Sequence, residues 1–158
     1  QVPAESFAAS LSSGIFTHFA RAEDADMEHG KLDEELDRMS RIVSALSPHA
    51  LVLMNEAFAT TTEREGALIG TGILSALYDL RVRVVYVTHL YELADTFFIK
   101  SLPHAEFLLA QRLDDGNRSF RILPGRPRET SYGEDLYDRI IGAGTVESGR
   151  HNKEDNNA

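Results

Sequence analysis

The sequence predicts an α/β domain built on a mainly parallel sheet, and three observations predict it. Two short strand-like runs, the apolar Leu51 to Met54 and the mostly apolar Val82 to Val87, each end in a polar pair, Asn55-Glu56 and Thr88-His89. A segment of helical spacing lies between them, as a right-handed parallel crossover requires. Two later extended runs flank Asp114-Asp115-Gly116-Asn117, a hairpin turn signal. A run as short and apolar as 50–54 reads as a strand buried on both faces. The expected architecture is therefore a parallel sheet with helices on both faces and an antiparallel hairpin.

In chain order, Gly14 to Phe19 alternates as a strand does, and the charged segment 21–30 follows. Leu32, Leu36, Met39, Ile42 (or Val43) and Leu46 then recur at steps of three and four, which predicts a helix. Asp33, Glu34 and Glu35 fall in its first turn, where carboxylates suit the positive end of the helix dipole. Ser47-Pro48 ends it, because Pro cannot continue a helix. After the strand at 50–55, Thr62 is placed to cap a helix starting at Glu63, with Glu65 three residues on. Leu68, Ile69, Ile73, Leu74, Leu77 and Leu80 give that helix a wide apolar face. The strand at 82–89, a short helix from Tyr91 to Phe98, strands at 106–112 and 119–123, and a last helix from Glu134 to Ile141 complete the order.

A chain of 158 residues, 42% hydrophobic and 26% charged, fits one globular domain with a real core. That domain is expected to reach residue 144, and the polar residues 145–158 to form a disordered tail. No apolar run approaches the ~20 residues that span a bilayer. No leader of signal-peptide type opens the chain, so no membrane partner is expected. The absence of Cys excludes disulfides and thiolate metal sites and suits a cytoplasmic location. A net charge of -9 argues against this segment gripping nucleic acid by itself. The opening Gln1-Val2-Pro3-Ala4 lacks an initiator Met, which suggests a piece of a longer chain.

Ligands of open α/β sheets bind beyond the carboxyl ends of the strands. If the strands ending in Asn55-Glu56 and Thr88-His89 are neighbours, Glu56 and His89 face one crevice. A Glu there can orient or deprotonate a water, and a His can sense a terminal phosphate. Each residue alone has a plainer reading. A lone His at a strand end is more often structural, and Thr60-Thr61-Thr62 is more often a loop with caps than a ligand site. The signal lies in their combination.

Taken together, the motifs resemble the ATPase domain of the MutS family of DNA mismatch repair proteins. Val2-Pro3-Ala4, Ile15-Phe16-Thr17 with the acidic Ala22-Glu23-Asp24, and Leu51 to Glu56 as a Walker B strand carry the resemblance. Thr88-His89-Leu90-Tyr91-Glu92-Leu93 resembles the His-switch segment, and Leu123-Pro124-Gly125 with Ser131-Tyr132-Gly133 resembles the distal motif. The resemblance implies an ABC-type P-loop NTPase fold, truncated, because no Gly-x-x-x-x-Gly-Lys-Ser/Thr occurs in the chain. In the family that loop lies just upstream of Val-Pro-Ala. It also implies that an apolar sheet edge and face stand open here.

By the same resemblance, Glu56 and His89 are the catalytic residues, and Asn55 with Glu56 serves Mg²⁺ through water. Asn55, Gly30, Lys31, Thr60, Thr61 and Thr62 are the expected nucleotide-binding positions, some acting across a homodimer. ATP and Mg²⁺ are the implied cofactors of the full-length protein, and DNA is contacted through domains absent from this chain.

Three departures qualify the match. Asn55 stands where the family usually has Asp, as in a divergent bacterial group of MutS-like proteins, and an amide brings no charge to the metal. The helix start Gly30-Lys31 is followed by Asp33, Glu34 and Glu35, carboxylates that compete with an anion there. The loop after Glu56 lacks the family's glycines. The alternative is a degenerate, non-hydrolysing dimerisation module.

Overall fold

The structure is a computed structural model of the chain. It describes residues 3–20, 30–113 and 116–129, and the single positions 133, 137, 140 and 141. The acidic 22–24 segment, Val2, Ser131-Tyr132 and the 145–158 tail lie outside the described residues. So does most of the expected last helix, although Gly133, Tyr137, Ile140 and Ile141 have helical backbone. The chain divides into two compact units, Gln1–Pro127 and Arg128–Ala158. The first unit carries the parallel sheet, its helices and the hairpin.

Its elements are β1 (Ile15–Phe19), α1 (Lys31–Ala45), β2 (Leu51–Asn55), α2 (Glu63–Asp79), β3 (Arg83–Val87), α3 (Tyr91–Lys100), β4 (Leu108–Arg112) and β5 (Arg118–Pro124). This is the order that the sequence predicts. β1, β2 and β3 form one parallel sheet with β2 in the centre. The register aligns Phe19, Asn55 and Val87 in one row, so the carboxyl ends of all three strands share one edge of the sheet.

The pleat sends Phe16, His18, Val52, Met54, Val84 and Tyr86 to one face. Met39 and Ile42 of α1 and Leu77 of α2 pack there against fully buried Val52 and Met54. Both helices therefore cover the same face. The opposite face is open among the described residues. Ile15, Phe19, Val85 and Val87 are 66%, 47%, 55% and 56% exposed. This corrects the expectation of helices on both faces. Leu51 and Leu53 are as apolar as Val52 and Met54, so the run alone does not reveal that only one side is covered.

α1 follows Gly30, which has extended backbone and supplies no side-chain cap. Its buried stripe is Glu35, Met39 and Ile42, while Leu36 and Val43 lie at the exposed margin. α2 begins as expected, with the Thr62 hydroxyl accepting from Glu65 N. Its inner face is lined by Gly66, Ala67, Gly70 and Leu77, whereas Leu68 and Leu80 are exposed. The small residues allow close approach. A Cβ on Gly66 would sit 2.3 Å from the Phe58 carbonyl oxygen, and one on Gly70 would sit 2.3 Å from Leu93 of α3. β4 and β5 form the expected hairpin, irregular between Ala110 and Arg112, with Gly116 at φ 81 in the turn. The Phe98 and Phe107 rings meet edge to face at 5.3 Å and join the hairpin to α3.

Candidate functional site

Glu56 leaves the end of the central strand, and His89 follows β3, its neighbour. Glu56 N donates to the Val87 carbonyl (2.9 Å), which extends the ladder one residue past β2. The chain then turns sharply, with Glu56 at φ 52. That turn brings the Glu56 carboxylate onto His89: Oε2 lies 2.5 Å from Nδ1 and accepts from His89 N at 3.4 Å. Thr88 Oγ1 accepts from Leu90 N (3.0 Å), which steadies the His89 segment before α3. The pair remains open to solvent, with His89 59% and Glu56 34% exposed. A carboxylate and an imidazole in contact at solvent-open strand ends can share a proton and order a water. Oε2 faces the imidazole, which leaves Oε1 for such a water.

A second histidine–glutamate pair is buried, and it contacts the turn that follows Glu56. His18 is fully buried on the covered face of β1, and Glu35 of α1 is 4% exposed. Their approach, His18 Nε2 to Glu35 Oε1, is 3.3 Å. It is an electrostatic contact rather than a well-formed hydrogen bond, so Nε2 has no hydrogen bond of good geometry among the described residues. On the other side of the ring, Arg38 Nε donates to His18 Nδ1 at 3.3 Å. That donor requires a lone pair on Nδ1, so the ring proton sits on Nε2, facing Glu35.

Glu35 accepts from Phe58 N (2.8 Å) through Oε1 and from Thr60 Oγ1 (3.1 Å) through Oε2. Burial pushes its carboxyl up, but the His18 contact and the bonds from Phe58 and Thr60 outweigh that, and the net shift is below the usual 4.5. Phe58 is itself fully buried, at φ 62, with its ring 5.4 Å from the His18 ring. From β3, Tyr86 OH donates to the Ala57 carbonyl at 2.5 Å. Burial first, and then the Glu35 and Glu56 charges, raise the Tyr86 phenol to about 12 against a counteracting Thr88 hydrogen bond.

The remaining expected site residues are less concentrated. Asn55 is exposed at the end of β2, and its carbonyl accepts from Ala20 N (3.1 Å). Thr60 donates to Glu35, while Thr61 and Thr62 both donate to Glu65 Oε2, at 2.5 and 3.1 Å. All three hydroxyls are thus engaged within the chain, and the Thr61 and Thr62 bonds hold the Glu65 carboxyl below its usual range. Gly30 precedes α1, with none of the described residues within 4 Å of where a Cβ would lie, its carbonyl accepting from Glu34 N (3.1 Å), and Lys31 opens the helix. No cluster of three metal-ligating side chains occurs among the described residues. The protein donors at the strand ends are one amide and one carboxylate. That set fits a cation held mainly by substrate phosphates and water, the mode usual for Mg²⁺.

Reasoning from sequence missed Glu35 and His18. Glu35 is read there as one of three acids facing the helix start, and the structure corrects this: its carboxylate is buried and committed to the loop after Glu56. Asp33 and Glu34 alone are the first-turn acids. A signal was present, because Glu35 shares a stripe with Met39 and Ile42 at steps of four and three. His18 likewise alternates with Phe16 onto the covered face.

No model of a known protein family matches the chain. Individual proteins do. The DNA mismatch repair protein MutS of Thermus aquaticus is 29% identical over 138 residues, 85% of this chain and 16% of that protein. The MutS protein of Porphyromonas gingivalis is 30% identical over 129 residues, 78% of this chain and 14% of its own length. A Drosophila melanogaster protein named "Probable DNA mismatch repair protein Msh6" is 31% identical over 96 residues, 61% of this chain and 8% of its own. The chain thus spans under a fifth of the length of the curated relatives it matches. It is a MutS-like segment, related to the DNA mismatch repair proteins over most of its length.

Proposed function

We propose that this segment is the C-terminal portion of a MutS-like, ABC-type ATPase domain, which in the intact dimer couples ATP binding and hydrolysis to DNA binding. One observation carries the reading above all. Glu56 and His89, from the ends of adjacent parallel strands, meet at 2.5 Å and remain open to solvent. Glu56 orients and deprotonates the attacking water, and His89 contacts the γ-phosphate through the ring edge turned away from Glu56. Asn55 helps to hold Mg²⁺ through a bound water. When bound, that ion neutralises charge on the phosphates. Gly30 and Lys31 face the nucleotide of a partner subunit, and residues 60–62 line the same junction.

No phosphate-cradling loop occurs in these residues, so it comes from sequence outside them. The segment alone therefore does not hydrolyse ATP, while the parent protein does. Steady-state turnover measured on both decides this. Turnover by the 158 residues alone overturns the requirement for an outside loop, and an inactive parent overturns hydrolysis altogether.

A second reading, a non-hydrolysing dimerisation module, draws on the amide at position 55 and on the internal engagement of Thr60, Thr61 and Thr62. It predicts a parent protein that dimerises yet turns over no ATP and carries a broken phosphate loop upstream.

A further inference from the structure

We infer that Glu35 is a positioning residue for Glu56, acting through the turn from Ala57 to Thr60. The inference deepens the hydrolytic reading, and only its kinetic arm rests on that reading. The turn takes left-handed backbone at two non-glycine residues, Glu56 at φ 52 and Phe58 at φ 62. Such conformations persist only where the surroundings over-determine them. Here the clamps can be named. Glu35 receives Phe58 N and Thr60 Oγ1, so both ends of one carboxylate grip the turn. Tyr86 grips it at the Ala57 carbonyl, and Gly66 packs against the Phe58 carbonyl from α2.

Of these clamps, Glu35 alone is a charged acceptor, and bonds to ionised groups are the stronger kind. It is itself fixed, buried on α1 with His18 and then Arg38 behind it. The direction in which the Glu56 carboxylate leaves β2 is set by the turn. The Glu56–His89 contact therefore depends on a buried acid that holds the turn after it.

The test compares Glu35→Met, which keeps volume and loses the acceptor, with Glu35→Gln. The Gln oxygen still accepts from Phe58 N, and its amide can donate to the Thr60 hydroxyl. The first readout is the His89 ring-nitrogen spectrum of the 158-residue chain by ¹⁵N NMR at mildly alkaline pH. In the unaltered chain the Glu56 contact favours the Nδ1–H tautomer. Glu35→Met is expected to shift His89 toward the ordinary Nε2–H mixture, and Glu35→Gln to restore it.

In the parent protein, Glu35→Met is expected to lower kcat by about 10- to 100-fold with KM for ATP little changed, again rescued by Gln. A folded Glu35→Met chain with the unaltered His89 signature overturns the inference. If Glu35→Met does not fold, Thr60→Val takes its place. It removes one arm of the clamp at the turn's rim, and it must move the His89 signature in the same direction, or the inference fails. If Glu56→Gln leaves parent turnover intact, the hydrolytic reading fails, and the NMR readout alone still decides the positioning role.

Discussion

Among the described residues stand two histidine–glutamate pairs, and they differ in nearly every physical respect. His18–Glu35 is sealed under α1, at 0% and 4% exposure, in a 3.3 Å contact. His89–Glu56 stands at the strand ends, at 59% and 34% exposure, in a 2.5 Å contact. Burial decides what each can do. A carboxylate removed from water must have its acceptor sites met, so Glu35 is locked into bonds with the turn and cannot meet a substrate. The outer pair gains little stability from its contact, because solvent screens it, and it keeps access to substrate and water. The buried pair braces the turn after β2, and the exposed pair is the one proposed to do chemistry.

The comparison can be broken by exchanging the expected losses. Glu35→Met should cost the most stability, about 3 kcal/mol, since it strands the buried Phe58 N–H and leaves His18 facing no acceptor. Denaturant titration of the chain measures it. Gly66→Ala comes next, at about 2 kcal/mol, because its Cβ meets backbone, the Phe58 carbonyl, at 2.3 Å and the turn has to move. Tyr86→Phe should cost about 1 kcal/mol by unpairing the Ala57 carbonyl. Smallest is Glu56→Gln, within about 0.5 kcal/mol, as expected of a solvated pair.

The pH dependence sharpens the same contrast. Glu35 has a folded value below its usual 4.5, so its stabilisation is present above that value and is lost as pH falls through the lower folded one. Acid unfolding curves of the unaltered chain and of Glu35→Gln should therefore converge at low pH. Tyr86 acts at the other end. Its phenol is raised from 10.0 to about 12, so the stabilisation of the neutral form is full below 10.0 and is lost as pH rises through the folded value. Tyr86→Phe should remove that alkaline limb.

Much of this was legible in the sequence. The helical spacing of Leu32 to Leu46, the Thr62 cap and the turn at Gly116 fixed element order and most boundaries within two residues. The outer pair was legible because a strand's polar end declares its position, and a crossover helix between two such strands makes them neighbours. Which face of the sheet stands open was not, since apolar runs do not reveal the covered side. The inner pair was not read because a carboxylate in a first helical turn has a ready explanation in the dipole. Only the three-dimensional approach of the 57–60 turn shows why an acid sits on an otherwise apolar stripe. The left-handed backbone at Glu56 and Phe58 was likewise hidden, as neither is Gly or Asn.

The central claim is that the outer pair does chemistry while the fold rests on the inner one. Single-turnover ATP hydrolysis by the parent protein carrying Glu56→Gln tests it most directly, with nucleotide binding and unfolding midpoint measured on the same sample. The account predicts turnover lower by about 100-fold or more, with binding and midpoint unchanged. Turnover at the unaltered rate would contradict it.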